Sequence, residues 1–226
     1  MTALTALTAL CPPPAAVPPA PDWPRVEDTL GTGLPEDYKG LVAAYGPGQF
    51  CDFLSLYQPC SSHEWLDLTG PMPRRLRGQI AEVRQAARQP RPLPHTIEDL
   101  FAMGVTGNGD YLFWVTRPSA APDDWIVTVN EALSGPWFTY GGSVTEFLVA
   151  VLGGTVRVPL FPADLLDRGI TFTPSPLRGS APATTSRMSV STRTIRDWAR
   201  ANGYDLPDRG RVPLAIKEAW EQHSSG

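Results

Sequence analysis

The spacing of apolar positions changes several times along this chain, and each change marks an element. From Trp23 the spacing is helical: Trp23, Val26 and Leu30, then Leu34-Pro35-Glu36-Asp37-Tyr38 leading to Leu41, Val42 and Tyr45. Pro35 followed by two acids suits the first turn of a helix, whose free amides favour negative charge. Gly46-Pro47-Gly48 stops it. Phe50 to Tyr57 is short and aromatic and predicts an edge strand, and residues 74–88 predict a polar helix with Leu76, Ile80 and Val83 on one face.

The strongest strand signal follows. Phe101 to Val105 and Tyr111 to Val115 flank Thr106-Gly107-Asn108-Gly109-Asp110, which reads as two strands and a turn. Trp125 to Val129 and Trp137 to Tyr140 add two strands at hairpin spacing, so the sheet is expected to be antiparallel. Ser143-Val144-Thr145-Glu146 then opens a helix as a capping box, with Phe147, Leu148, Val151 and Leu152 on its apolar face and Gly153-Gly154 at its end. The fold class expected is α+β: an antiparallel sheet with helices packed on one face, then a flexible linker and a small two-helix C-terminal module.

The pattern also predicts domain boundaries. Residues 1–21 read as a disordered low-complexity tail, 22–172 as the α+β domain, 173–190 as a linker and 191–226 as the C-terminal module. The linker is rich in Ser, Thr, Pro and Ala and has too little apolar surface to offset its ordering entropy. In the module, Ile195, Trp198 and Ala199 give one capped helix with Gly203 at its end, and Ile216, Ala219 and Trp220 a second. So small a core relies on Trp198, Leu206, Val212 and Trp220 packing together.

Composition changes the picture in three places. Of the 25 prolines, 17 crowd into residues 11–24, 71–94 and 159–182, which marks connections. The formal charge of -4 is uneven: residues 1–186 carry 12 Lys/Arg against 18 Asp/Glu, whereas residues 187–226 carry 7 against 5. Two net positive charges are a weak field, so a basic tail of this kind binds through placed arginines or not at all. Three cysteines, Cys11, Cys51 and Cys60, without a CxxC spacing fit free thiols in a reducing cytosol; Cys51, Cys60 and His63 supply three of the four ligands a structural zinc site needs and no fourth lies nearby in sequence, so no metal and no cofactor is expected. The apolar N-terminus has no basic residue ahead of it, and no stretch is long enough to span a bilayer, so a cytoplasmic protein without a membrane partner is expected.

Residues 191 to about 222 carry Ile195-Arg196, Trp198-Ala199, Asn202-Gly203, Arg209-Gly210-Arg211 and Pro213. This run is similar to the DNA-binding domain of the actinobacterial Lsr-two family, nucleoid-associated silencers analogous to H-NS. The resemblance implies double-stranded DNA as partner, with Arg209, Gly210, Arg211 and Asn202 in the binding region. The motif makes physical sense. Two planar, weakly hydrated guanidinium groups can lie in a narrow A·T-rich minor groove, where the potential is most negative, and the glycine lets the backbone approach the groove floor. Arg193 and Arg196 suit phosphate contacts that position the module without reading bases. A·T preference rather than a defined sequence follows. Asp208, just before the motif, opposes the approach to phosphate.

The body carries Trp23, Val26-Glu27, Leu34-Pro35, Asp37-Tyr38, Tyr45-Gly46, Gly104-Val105, Gly109-Asp110, Trp114, Asn130-Glu131 and Ser143 to Leu148. It resembles the SUKH superfamily of Smi/Knr type, which implies a protein-recognition scaffold and an unidentified protein partner. An immunity protein that neutralises a toxin is the alternative that the resemblance implies. Enzyme signatures are missing from the sequence: the glycines at 104, 107 and 109 sit in a hairpin turn, no GxSxG or P-loop occurs, and Asp123-Asp124 reads as a solvated turn. The combined expectation is a non-enzymatic, nucleoid-associated DNA-binding protein with a protein-recognition domain.

Overall fold

The computed structural model describes residues 2–16, 19–59, 61, 63–88, 91–117 and 121–175, together with Trp198 and Asn202. The chain divides into two units, Met1–Ser180 and Ala181–Gly226. In the first, helices α1 (Ala3–Leu10), α2 (Trp23–Leu30), α3 (Glu36–Tyr45), α4 (Met72–Ala86) and α5 (Val144–Leu152) accompany seven strands. The strands are β1 (Gly48–Phe50), β2 (Leu54–Leu56), β3 (Leu100–Thr106), β4 (Tyr111–Val115), β5 (Ile126–Asn130), β6 (Trp137–Tyr140) and β7 (Phe172–Pro174). They form one antiparallel sheet in the order β6-β5-β4-β3-β2-β1-β7, so the fold is α+β.

The core is centred on Trp114 of β4, which is fully buried. Its ring meets Tyr38 of α3 edge-on at 5.0 Å and stacks on Phe101 of β3 at 5.7 Å. The Tyr38 hydroxyl donates to the Tyr57 carbonyl, so its polar end is satisfied inside the core. Burial holds this phenol far above its ordinary range. α5 packs on α1 and α3, and its Phe147 meets Tyr140 of β6 at 5.7 Å. The alternate residues Leu100, Ala102, Phe113 and Val115 are also buried, so the middle of the sheet is covered on both faces.

Three sequence expectations are corrected. The segment expected as a disordered tail contains α1, capped by the Thr2 hydroxyl accepting from the Thr5 amide at 3.2 Å. Leu7 and Cys11 are fully buried, and the Tyr45 hydroxyl donates to the Cys11 carbonyl. The repeat looks like low complexity, but it sets leucines three apart. Leu4 lies where a Cβ on Gly40 would be only 3.3 Å away, and Leu10 sits close to Gly153. Residues 173 and 174, expected to open the linker, belong instead to the sheet. Thr173 and Pro174 pair with Gln49 and Gly48 of β1, held by Phe172 packing on Tyr45 and Phe50 at 5.0 and 4.9 Å. Pro174 is tolerated because β7 is an outer strand.

The third correction concerns Phe50 to Tyr57, which is a hairpin between β1 and β2 inside the sheet rather than a single edge strand. Its turn uses Cys51 at φ 52° and Asp52 at φ 47°, left-handed conformations usually left to glycine or asparagine. Asp123 also does more than face solvent. It accepts a 2.7 Å hydrogen bond from the Glu36 amide and so caps α3, whose own N-terminal Pro35 has no capping side chain. The capping box at Ser143 and Glu146 forms as expected.

Candidate nucleic-acid interface

Trp198 is helical and half-buried. The exposed Asn202 donates to the Trp198 carbonyl twice, from its backbone amide at 3.0 Å and from Nδ2 at 2.8 Å. The first is the ordinary helical bond from residue i to i−4, and the second brings a side-chain donor to the same carbonyl. Arg193, Arg196, Arg209, Gly210 and Arg211 lie outside the described residues, as does Asp208.

Within the first unit, the turn glycines use their amides internally: Gly107 donates to the Phe53 carbonyl at 2.7 Å and Gly109 to the Thr106 carbonyl at 3.0 Å. Such a turn has no spare donors to cradle a phosphate. Burial raises the Asp110 carboxyl above the ordinary value of 3.8, against the 2.9 Å hydrogen bond it accepts from the Thr106 hydroxyl, which lowers it. Burial, and secondarily the Cys51 thiol, push Cys11 up to about 11, so it stays a protonated, inert thiol. Among the described residues no group of three His, Cys, Asp or Glu is placed to hold a metal ion, and no helix is long and apolar enough to cross a membrane.

A basic cluster, not evident from the apolar spacing, overlaps the polar helix expected over residues 74–88. Residues 74–91 hold six arginines against one glutamate. An open cavity of about 820 Å³ lies beside the end of α4, with Arg84, His95 and Arg117 in its wall, and a smaller one of about 140 Å³ adjoins it between Arg84, Leu133 and Trp137. The Arg84 guanidinium donates to the Arg91 carbonyl, and Arg117 pairs with Asp99 at 3.5 Å. Burial lowers the His95 imidazole, with Asp99 opposing the shift. The count of arginines was the available signal.

Residues 188–222 match the family model of the Lsr2 DNA-binding domain. The matched stretch contains Arg193, Arg196, Asn202, Arg209, Gly210 and Arg211. No curated protein and no solved structure matches the chain. Residues 188–222 are thus similar to a DNA-binding domain of the Lsr2 type, which supports a DNA-binding, nucleoid-associated protein. This Lsr2-type domain falls in the net-positive part of the chain, where residues 187–226 carry 7 Lys/Arg against 5 Asp/Glu. So small an excess leaves affinity to individual guanidinium groups rather than to a broad field.

Proposed function

We propose that the chain binds A·T-rich duplex DNA through Arg209-Gly210-Arg211 in the minor groove. Arg193 and Arg196 hold phosphates, and Asn202 belongs to the same DNA-binding surface. The match of residues 188–222 to the Lsr2 DNA-binding domain carries this reading. The local physics supports it, because paired arginines around a glycine fit the narrow groove of A·T tracts, where readout distinguishes A·T from G·C but little else. The N-terminal unit, which resembles the SUKH scaffold, recognises a protein, so the molecule couples a protein partner to A·T-rich DNA in the cytoplasmic nucleoid. Its DNA-binding module is non-catalytic.

A filter-binding titration of the full chain on A·T and G·C duplexes tests the reading. Tighter binding to A·T is expected, and Arg209→Ala with Arg211→Ala should abolish the preference. Unchanged A·T binding in that variant would overturn the minor-groove assignment. A toxin neutralised by the chain whether or not those arginines are present would favour immunity as the main activity.

A further inference from the structure

The first unit is acidic except in one place. Residues 1–175 contain eleven Lys/Arg and eighteen Asp/Glu, yet six of the eleven fall within residues 74–91. Arg84, Arg91 and Arg117 converge on the two adjoining cavities at the end of α4, where Asp99 is the acidic residue in the wall. Apolar groups complete the lining: Leu93 contributes to both cavities, and Leu133 and Trp137 to the smaller. Val83, one of the two large apolar residues that the described part of the chain leaves exposed, is at the same place.

The hairpin tip that supplies Leu133 is strained. Ala132 has φ 45° and Leu133 φ 68°, where a glycine or asparagine is the ordinary choice. Strain held at the mouth of a cavity is a mark of binding sites, because folding alone would favour its removal.

We propose that this composite cavity, between the end of α4, residues 91–96 and the β5–β6 hairpin, docks an acidic segment of a partner protein that carries an aromatic side chain. Carboxylates pair with Arg84, Arg91 and Arg117, whose planar forks suit bidentate contacts, and the aromatic group rests against Leu93, Leu133 and Trp137. Arginine beside tryptophan is the composition of interface hot spots. A DNA duplex fits less well. It is a convex anionic rod that gains nothing from the apolar walls, and the acidic remainder of the unit repels it beyond the immediate patch. The inference rests on the reading of this unit as a protein-recognition scaffold and names its surface and the chemistry of its partner.

A fluorescence-anisotropy titration of the full chain with a labelled random copolymer of glutamate and tyrosine tests it. The copolymer should bind, and Arg84→Gln with Arg117→Gln should weaken it by about tenfold. Because those arginines also tie down the loop, Leu133→Gly is the second variant: it removes the strained side chain, so the melting temperature should hold or rise while copolymer affinity falls. Arg209→Ala with Arg211→Ala should leave copolymer binding unchanged. Copolymer affinity that survives both cavity variants would overturn the site while leaving the unit a binder of acidic proteins elsewhere. No copolymer binding by the wild type would remove the acidic partner as well. Loss of duplex binding in the cavity variants would make this a nucleic-acid surface, and a concentration-dependent rise in sedimenting mass that those variants abolish would make the occupant a second copy of the chain; either result overturns the proposal.

Discussion

Asp123, in the connection between β4 and β5, takes the Glu36 backbone amide at 2.7 Å and thereby closes the start of a helix 87 residues earlier in the chain. The same helix reaches α5, because the Asp37 carboxylate accepts from the Thr145 amide at 3.0 Å. Removal of a capping oxygen costs about 1 kcal/mol. Asp123→Ala should therefore lower the melting temperature by about 2–4 °C in a chain of this size, whereas Asp123→Asn, which keeps an acceptor, should lose much less. Equal losses for the two would show that the cap contributes nothing specific.

Leu7 is fully buried in α1, the helix that packs on α5 and α3. Truncation of a buried leucine to alanine costs about 2–5 kcal/mol, depending on how far the site collapses. Leu7→Ala should shift the denaturant midpoint of the N-terminal unit downward by a corresponding amount. A midpoint equal to wild type would mean that α1 does not dock in solution.

Asp110 gives a pH signature. Its carboxyl is raised above 3.8 chiefly by burial, so between that value and the raised one the folded chain holds more proton than the unfolded chain. Stability contributed by this group is full below the unfolded value and is lost as pH rises through the folded one. Asp110→Asn should flatten that part of the stability–pH curve, and urea denaturation at a series of pH values would read it. A slope above pH 4 that is the same in both chains would remove Asp110 as its source.

Arg193 and Arg196, if they neutralise phosphates, each release counterions. Replacement of either by alanine should then reduce the slope of log affinity against log salt by about 0.9 and weaken A·T and G·C duplexes alike. A variant with unchanged slope and altered base preference would instead place that arginine in the groove.

Elements with local signals were legible in the sequence. The capping box at Ser143 and Glu146, the turn from Thr106 to Asp110 and the glycine stop after Tyr45 need only near neighbours, and the structure forms all three. The β1–β2 hairpin was not, because its turn uses Cys51 and Asp52 at positive φ instead of a glycine. α1 and β7 were missed for a shared reason. Each is held by distant partners, Leu4 by Gly40 and Phe172 by Tyr45 and Phe50, which no short window contains. The stretch that matches the DNA-binding domain was legible as a run of residues, and Asn202 is a residue of that run for which the structure adds geometry. The basic cavity shows the opposite limit. Its arginines are countable in sequence, but its walls come from three segments that only the folded chain brings together.

β7 occupies the outer side of β1, and a Cβ at Gly48 would run into the Phe172 ring and the Thr173 carbonyl. This last strand thus shields one flank of the sheet from strand-by-strand aggregation and leaves β6 as the other margin. A protease cut or a truncation made before Ser175 would strip that guard away and bare the main-chain hydrogen-bonding groups of β1. Any attempt to separate the body from the stretch that matches the DNA-binding domain therefore has to sever the chain downstream of this residue to keep that flank covered.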